Sequence, residues 1–281
     1  MAAWLRPRPG RTYLAGAPML VAHRGGAKLA PENTVLAFRS AVADWGADML
    51  EMDVRLTRDG QVVVIHDATV DRTTEGTGAV SDFTLAELSD LDAGYRFVDL
   101  DGQPSYRGKG IRIPTLVEVL EACPGVWMNV ETKEKAVAGP LVDVIRSVGE
   151  EHRVLVTAEH EEDRKAARGY GGPWGASRRQ CMLFWLLSRL PLGRRYTPPV
   201  DVFQVPERFK GRRILSPWLI REAHRRNIPV HVWTVDDPDD MRRLLSWGVD
   251  AIQSDRPDLL SEVLVEVAGR PLPPVRVAGA P

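Results

Sequence analysis

Met49-Leu-Glu-Met-Asp53 is an apolar run that carries two carboxylates, a pattern typical of a buried β-strand. Because residues i and i+2 of a strand point to the same face, Glu51 and Asp53 should present their carboxylates together. Two histidines occupy comparable places, since His23 directly follows one apolar run and His66 ends another. Polar groups in such positions need a partner or a function. The four side chains therefore indicate a site built at the ends of buried strands.

Short β-branched runs alternate with amphipathic segments of helix length, which is typical of a parallel sheet made of βα units. The predicted strands lie near residues 19–23, 48–54, 62–66, 126–131, 153–157, 201–205, 229–233 and 250–253. The predicted helices cover residues 34–45, 115–122, 136–149, 161–169, 216–226, 238–246 and 257–268. Eight such strands predict an α/β fold, a closed (β/α)8 TIM barrel, with residues 1–281 in a single domain.

Residues 68–112 interrupt this rhythm, because they contain six glycines and one short helical run. We expect them to form a small insertion after the third strand that folds over the mouth of the barrel. The tail, residues 270–281, contains four prolines and is expected to be poorly ordered.

The composition excludes several classes of partner. The formal net charge is -1, which gives no overall attraction to nucleic acid or to anionic membranes. Cys123 and Cys181 lack metal-ligand spacing, and buried or free thiols suit a reducing compartment. Prolines interrupt the start of the chain, and no stretch approaches the ~18 apolar residues of a membrane span. We therefore expect a cytoplasmic protein that does not bind nucleic acid, with its oligomeric state open.

Seven polar or aromatic residues fall at the C-terminal ends of predicted strands: His23, Glu51, Asp53, His66, Glu131, Lys133 and Trp233. In a TIM barrel this is the face on which active sites are built. Several carboxylates together suit one hard divalent cation, Ca²⁺ or Mg²⁺, with Mn²⁺ as a further option. Two histidines beside a cation can divide the acid and base roles of a hydrolytic reaction. The sequence therefore predicts an enzyme.

Structural alternatives exist for each of these residues. A histidine after an apolar strand is commonly a hydrogen-bonded core residue, and Glu51 or Glu131 could simply pair with a neighbouring arginine or lysine. The segment Pro31-Glu-Asn-Thr34 is typical of a turn followed by a helix cap, with Asn33 or Thr34 as the capping residue and Glu32 the one to watch.

Seven motifs in one order also carry a family resemblance: His23-Arg-Gly-Gly26, Pro31-Glu-Asn-Thr34, Glu51-Met-Asp53, Asp59-Gly60, His66-Asp67, Asp71-Arg-Thr-Thr74 and Val232-Trp-Thr-Val235. Together they resemble the signature of the glycerophosphodiester phosphodiesterases, a family of lipid and glycerol metabolism. The resemblance implies metal-dependent hydrolysis of a glycerophosphodiester to sn-glycerol 3-phosphate and an alcohol. No single motif is specific, but the ordered set is.

The resemblance also assigns roles to residues. Catalysis falls to the acid/base pair His23 and His66, and the metal ligands are Glu51, Asp53 and Glu131. Glu131-Thr-Lys133 matches a Glu-x-Lys of the family, so Lys133 would meet a phosphate oxygen or else balance the carboxylates. Arg24 binds phosphate or pairs with an acidic neighbour, and Trp233 stacks on the substrate or packs in the core.

A related activity and a rival class stay open. An apolar run, 181–187, lies between basic residues, which suits a lysophospholipase D acting on lysolipids at a membrane surface; a buried barrel helix is the alternative. Barrels that cleave phosphoinositides or sphingomyelin explain fewer of the motifs. A non-catalytic ligand-binding barrel would be expected to have lost a histidine or a carboxylate. The chain departs from the family pattern at 157–160 and 252–255, which bears on substrate shape.

Overall fold

The computed structural model describes residues 18–167, 169–190 and 196–273. Its strands are β1 Met19–Ala22, β2 Met49–Leu56, β3 Val62–Val64, β4 Trp127–Thr132, β5 Val154–Ala158, β6 Phe203–Val205, β7 Arg208–Phe209, β8 Arg212–Arg213, β9 Val230–Val232 and β10 Ala251–Ser254. Its α-helices are α1 Val35–Ala43, α2 Leu85–Ser89, α3 Leu116–Ala122, α4 Lys135–Ser147, α5 Glu161–Ala166, α6 Arg178–Leu187, α7 Pro217–His224, α8 Pro238–Ser246 and α9 Pro257–Ala268.

Seven parallel strands form a curled sheet in the order β5-β4-β2-β1-β10-β9-β6. The gap between β5 and β6 is closed by Trp174 and Gly175, which make parallel bridges to Val156 and Val202. The Gly175 amide donates to the Val156 carbonyl at 3.0 Å, and the next amide donates to the Val202 carbonyl at 3.0 Å. Glycine is needed here, because a Cβ at position 175 would lie 2.4 Å from the methyl group of Thr157. The predicted TIM barrel is confirmed.

One predicted barrel strand, 62–66, is wrong. Val62–Val64 pairs antiparallel with the end of β2, through Val54 opposite Val64, so the two form a hairpin. Its turn contains Gly60 at φ 80, a conformation that favours glycine. The eighth barrel position belongs to 174–175, whose Trp-Gly sequence has no strand pattern that could have predicted it.

Alternation along the strands separates two cores. One set of side chains fills the barrel interior, namely Met19, Val21, Met49, Leu155, Val202 and Ala251. Residues of the opposite parity, such as Leu50 and Met52, pack outward against the helices. Full burial of an apolar side chain of this size typically stabilises a fold by about 1.5–3 kcal/mol. Since Met49 points inward, Glu51 and Asp53 do as well, because they lie two and four residues further along the strand, toward the mouth.

Local helix signals hold in detail. Thr34 caps α1, as one of the two residues predicted to do so, Thr115 and Glu118 form the capping box of α3, and Ser216 caps α7 ahead of Pro217. Helices α8 and α9 begin and end at the predicted residues. Within the described residues, no helix is long and apolar enough to cross a membrane.

The segment 68–112 builds a small core of its own, in which Val70, Val80, Leu88 and Ile111 pack against Val63 of β3. It therefore rests on the β2–β3 hairpin. Arg270, the first residue of the predicted tail, forms an ion pair with Asp48 through two contacts of 2.5 and 2.8 Å. Residues 274–281 lie outside the described residues.

Candidate active site

Three carboxylates converge at the mouth of the barrel. Glu51 and Asp53 come from β2 and Glu131 from β4, where Asp53 stands directly beside Glu131 in the strand register. One oxygen from each lies within 4.8 Å of the others. Glu51 and Asp53 are almost fully buried, at 3% and 1% exposure. The structure thus brings together all three residues that the sequence proposed as metal ligands.

The cluster is electrostatically unfavourable without a cation. Burial, together with the nearby charge of Asp53, raises the pKa of Glu51 to about 8. A divalent cation favours the charged form of each carboxylate and relieves this repulsion. The donor set of three carboxylates fits a hard ion such as Ca²⁺ or Mg²⁺. Glu51, Asp53 and Glu131 are therefore the residues that would hold it.

Two basic side chains neutralise part of this charge. The Lys133 ammonium lies 2.9 Å from Asp53 Oδ1 and 2.7 Å from Glu131 Oε2. Arg24 Nε lies 3.2 Å from Asp53 Oδ2, and the Arg24 backbone amide donates to Glu51 Oε2 at 3.0 Å. Burial alone would raise the pKa of Asp53, but Lys133 and Arg24 outweigh it and lower the pKa. Both cations stand where a phosphate bound to the cluster would meet them, and that role stays a prediction.

His23 is fixed by a carboxylate that sequence reasoning missed. Its Nδ1 lies 2.6 Å from Asp255 Oδ1, at the end of β10, and its Nε2 lies 3.8 Å from Glu51. Burial alone would lower the pKa of His23, but Glu51 and Asp255 outweigh it and raise the pKa. With Nδ1 engaged by Asp255, Nε2 is left for chemistry. The available signal was that β10 neighbours β1, so Asp255 falls beside His23.

His66 has a similar arrangement. Its Nδ1 lies 2.6 Å from Asp67 Oδ1, and Asp67 accepts from Arg72 Nε at 2.5 Å. Burial alone would raise the pKa of Asp67, but the hydrogen bonds from Arg72 and His66 lower it to about 2. His66 is also among the groups that lower the pKa of Asp53, after Lys133 and Arg24, so it lies near the cluster.

Pro31-Glu-Asn-Thr34 supports the site as well as capping a helix. Glu32 joins two arginines, since Arg24 Nη1 lies 2.9 Å and Arg72 Nη2 2.7 Å from its Oε1. Asn33 does not cap the helix; its Nδ2 donates to Asp53 Oδ2 at 3.0 Å. A capping pattern and a network residue look identical in sequence, so this second role was not predictable.

Trp233 and His231, at the end of β9, differ in their exposure to solvent. Trp233 directly follows β9 at the mouth and is 43% exposed, which excludes packing in the core. His231, two residues earlier, is fully buried, and its burial lowers its pKa to about 4. A neutral histidine enclosed in the barrel, with no hydrogen-bond partner on either ring nitrogen among the described residues, is unsuited to acid/base chemistry.

The molecule is a TIM-barrel enzyme with its acidic cluster on the face where such enzymes keep their active sites. The model of the glycerophosphoryl diester phosphodiesterase family matches residues 23–141 and 189–259. The chain belongs to this family.

Curated and solved relatives agree. A glycerophosphodiester phosphodiesterase of Caldanaerobacter subterraneus is 34% identical over 256 residues, covering 86% of this chain and 96% of the relative. A probable glycerophosphodiester phosphodiesterase 2 of Mycobacterium tuberculosis is 34% identical over 261 residues, covering 89% and 92%. A phosphodiesterase of Oleispira antarctica, solved in complex with the product sn-glycerol-3-phosphate, superposes with a TM-score of 0.70 at 25% identity, covering 88% and 96%.

Proposed function

We propose that this protein hydrolyses glycerophosphodiesters to sn-glycerol 3-phosphate and an alcohol, using one divalent cation and the pair His23 and His66. The observation that carries the proposal is the convergence of three carboxylates within 4.8 Å at the mouth of the barrel, with His23 Nε2 3.8 Å from Glu51. The product complex of the Oleispira relative supports the choice of substrate class. The cation is Ca²⁺ or Mg²⁺, with Mn²⁺ as a further option.

In the mechanism, Glu51, Asp53 and Glu131 hold the cation, which supplies Lewis-acid stabilisation of charge on the phosphate. Lys133 and Arg24 lie beside the same carboxylates and neutralise further phosphate charge. Trp233, exposed at the mouth, offers a ring face to the glycerol or head group.

The two histidines move the protons. His23 Nε2 accepts a proton from the nucleophile as its oxygen bonds to phosphorus. His66 Nε2 donates a proton to the alcohol oxygen as the other P–O bond breaks. The nucleophile is water, or the adjacent glycerol hydroxyl with a cyclic phosphate that water then opens. In either role the Nδ1 contacts, to Asp255 and to Asp67, hold the rings in place.

A release assay tests the activity and the metal together. Metal-stripped protein should be inactive on glycerophosphocholine, and Ca²⁺, Mg²⁺ or Mn²⁺ should restore release of sn-glycerol 3-phosphate and choline in equal amounts. Full activity in excess chelator would contradict the metal, and the absence of product with every cation would contradict the substrate class.

A second candidate, a lysophospholipase D acting on lysolipids, is supported by the surface of α6. The run 181–187 is neither wholly buried nor wholly exposed, because Phe184 packs in the core while Met182, Leu183 and Leu186 face solvent. Two of the basic residues that follow the run in the sequence, Arg194 and Arg195, lie outside the described residues. Lysophosphatidylcholine offered beside glycerophosphocholine separates the two candidates, since only the second would yield lysophosphatidic acid.

The Asp255–His23 contact predicts a pH effect. Asp255→Asn keeps the size of the side chain but removes a charge that raises the pKa of His23. If His23 is the base, it must be neutral, so the acid limb of kcat/KM should move to lower pH in the variant. Asp250→Asn is the matched control. Asp250 also pairs with a histidine, at 2.7 Å from His224 Nε2, but this pair lies away from the site. An unmoved acid limb in Asp255→Asn would assign that limb to another group.

A further inference from the structure

The segment Arg208-Phe-Lys-Gly-Arg-Arg213 forms a small exposed hairpin in which β7 pairs antiparallel with β8. Its two turn residues, Lys210 and Gly211, have φ values of 49 and 76. Two residues with positive φ between paired strands form the tight turn that suits a two-residue hairpin. The hairpin is therefore a defined projection rather than an irregular loop.

The hairpin carries four basic side chains in six residues. Arg208 stands directly opposite Arg213, a like-charged pairing that lowers the stability of a hairpin. Arg213 is paired with Glu207 at 3.1 Å. Across the part of the chain that the structure describes, no ion pair is formed by Arg208, Lys210 or Arg212. The projection thus keeps positive charge that an anionic partner would neutralise.

The hairpin stands at the rim of the active-site mouth. It follows the C-terminal end of β6, where the Val205 carbonyl accepts from the Trp233 amide at 3.4 Å. Its base is held by Glu207, which binds Arg243 of α8 through two contacts of 2.9 and 2.8 Å. The hairpin is therefore anchored between the end of β6 and α8, where Arg213 also lies 5.4 Å above the centre of the Trp247 ring.

An apolar stripe continues from the hairpin along α6. The Arg178 guanidinium lies 4.7 Å above the centre of the half-exposed Phe209 ring. Met182 and Leu186 follow Arg178 at intervals of four residues, so they share its helix face, and both are exposed. We call the hairpin and this stripe the rim surface.

We propose that the rim surface docks the enzyme on an anionic lipid bilayer, with the flank formed by the hairpin and α6 toward the membrane. Basic residues are attracted to anionic head groups, and apolar side chains between them can enter the interface. An RNA would engage the charges but leave Met182 and Leu186 exposed, which favours lipid. Docking itself is independent of the reaction; delivery of lipid-derived phosphodiesters to the mouth rests on the proposed function.

Co-sedimentation with vesicles tests the docking. The full-length protein should bind vesicles containing phosphatidylglycerol, bind phosphatidylcholine vesicles weakly, and be released by salt. Loss of a basic residue near the surface typically weakens binding about fivefold, so Arg208→Glu with Arg212→Glu should weaken it at least about 25-fold. Arg39→Glu is the matched control, an exposed arginine of α1, which follows β1 on the far side of the barrel from α6. Its binding should equal that of the wild type.

Two further measurements complete the test. Met182→Ser with Leu186→Ser should weaken binding while leaving its salt dependence unchanged, because only the apolar contribution is removed. Turnover of dissolved glycerophosphocholine should be unchanged in all these variants, so a failure of the proposed function would appear there and not in the vesicle assay. The proposal is overturned if the wild type does not bind anionic vesicles, or if the hairpin variant binds them as well as Arg39→Glu does.

Discussion

His23→Ala and His66→Ala are each expected to reduce turnover by about 10²–10⁴-fold, the usual effect of losing a positioned acid or base. Each histidine is held through Nδ1 by a carboxylate at 2.6 Å, so its loss removes a group already aligned for proton transfer. His152→Ala is the control, since His152 is a largely exposed histidine remote from the carboxylate cluster. Steady-state kinetics on glycerophosphocholine would measure the three variants.

The leaving group distinguishes the two histidines. In a nitrophenyl phosphodiester of glycerol, the nitrophenolate leaving group departs without needing a proton. This substrate should therefore restore activity to the variant that lacks the acid. On our assignment this is His66→Ala, while His23→Ala should stay slow with both substrates. Restoration of His23→Ala alone would reverse the roles. Restoration of neither would indicate that both histidines bind substrate rather than transfer protons.

Glu51→Gln is expected to abolish most cation-dependent activity and most stabilisation by added cation, because an uncharged amide is a poor ligand beside two carboxylates. The metal-free fold should tolerate the change well. Burial beside Asp53 already raises the pKa of Glu51 to about 8, so near neutral pH its carboxyl group is largely uncharged. Activity titrations and the shift in Tm on adding Ca²⁺ would measure both effects.

The same substitution predicts a change in how stability depends on pH. The pKa of Glu51 rises from 4.5 to about 8 on folding, so the native state binds more protons than the unfolded state between these values. Metal-free wild type should therefore lose stability as pH rises from about 4.5 to 8, and Glu51→Gln should lose less. Glu222→Gln, at a buried glutamate paired with Arg226, is the control. A retained Tm shift with Ca²⁺ in Glu51→Gln would reassign the cluster as structural.

Sequence reasoning identified the residues at the centre of the site but not the residues that position them. Glu51, Asp53 and Glu131 were predictable because strand alternation and the common face of parallel strands bring them together. Asp255 and Asp67 were missed as partners of the histidines, since their roles depend on side-chain directions after the strands end. Arg72 and Glu32 are 40 residues apart and meet only in the folded chain.

The fold also contains features that the sequence predicts and features that it does not. Periodicity predicted the TIM barrel and seven of its strands, because short β-branched runs that alternate with helical segments are informative. It placed 62–66 in the barrel wall because a hairpin strand and a wall strand share one pattern. It overlooked 174–175, where two residues are too few to show any pattern, and where backbone hydrogen bonds and the bond from the Trp174 amide to Asp201 Oδ2 complete the ring.

That two-residue closure lies inside the part of the chain, 142–188, that the family model leaves unmatched. The same interval contains α5 and α6. The three carboxylates proposed as metal ligands come from β2 and β4, which belong to the matched part, and β5 separates them from the closure. The family model thus covers the strands that carry the proposed metal ligands and leaves out the strand position that closes the barrel. We expect sequence differences in this interval to alter the outer surface around α6 while leaving the carboxylate cluster in place.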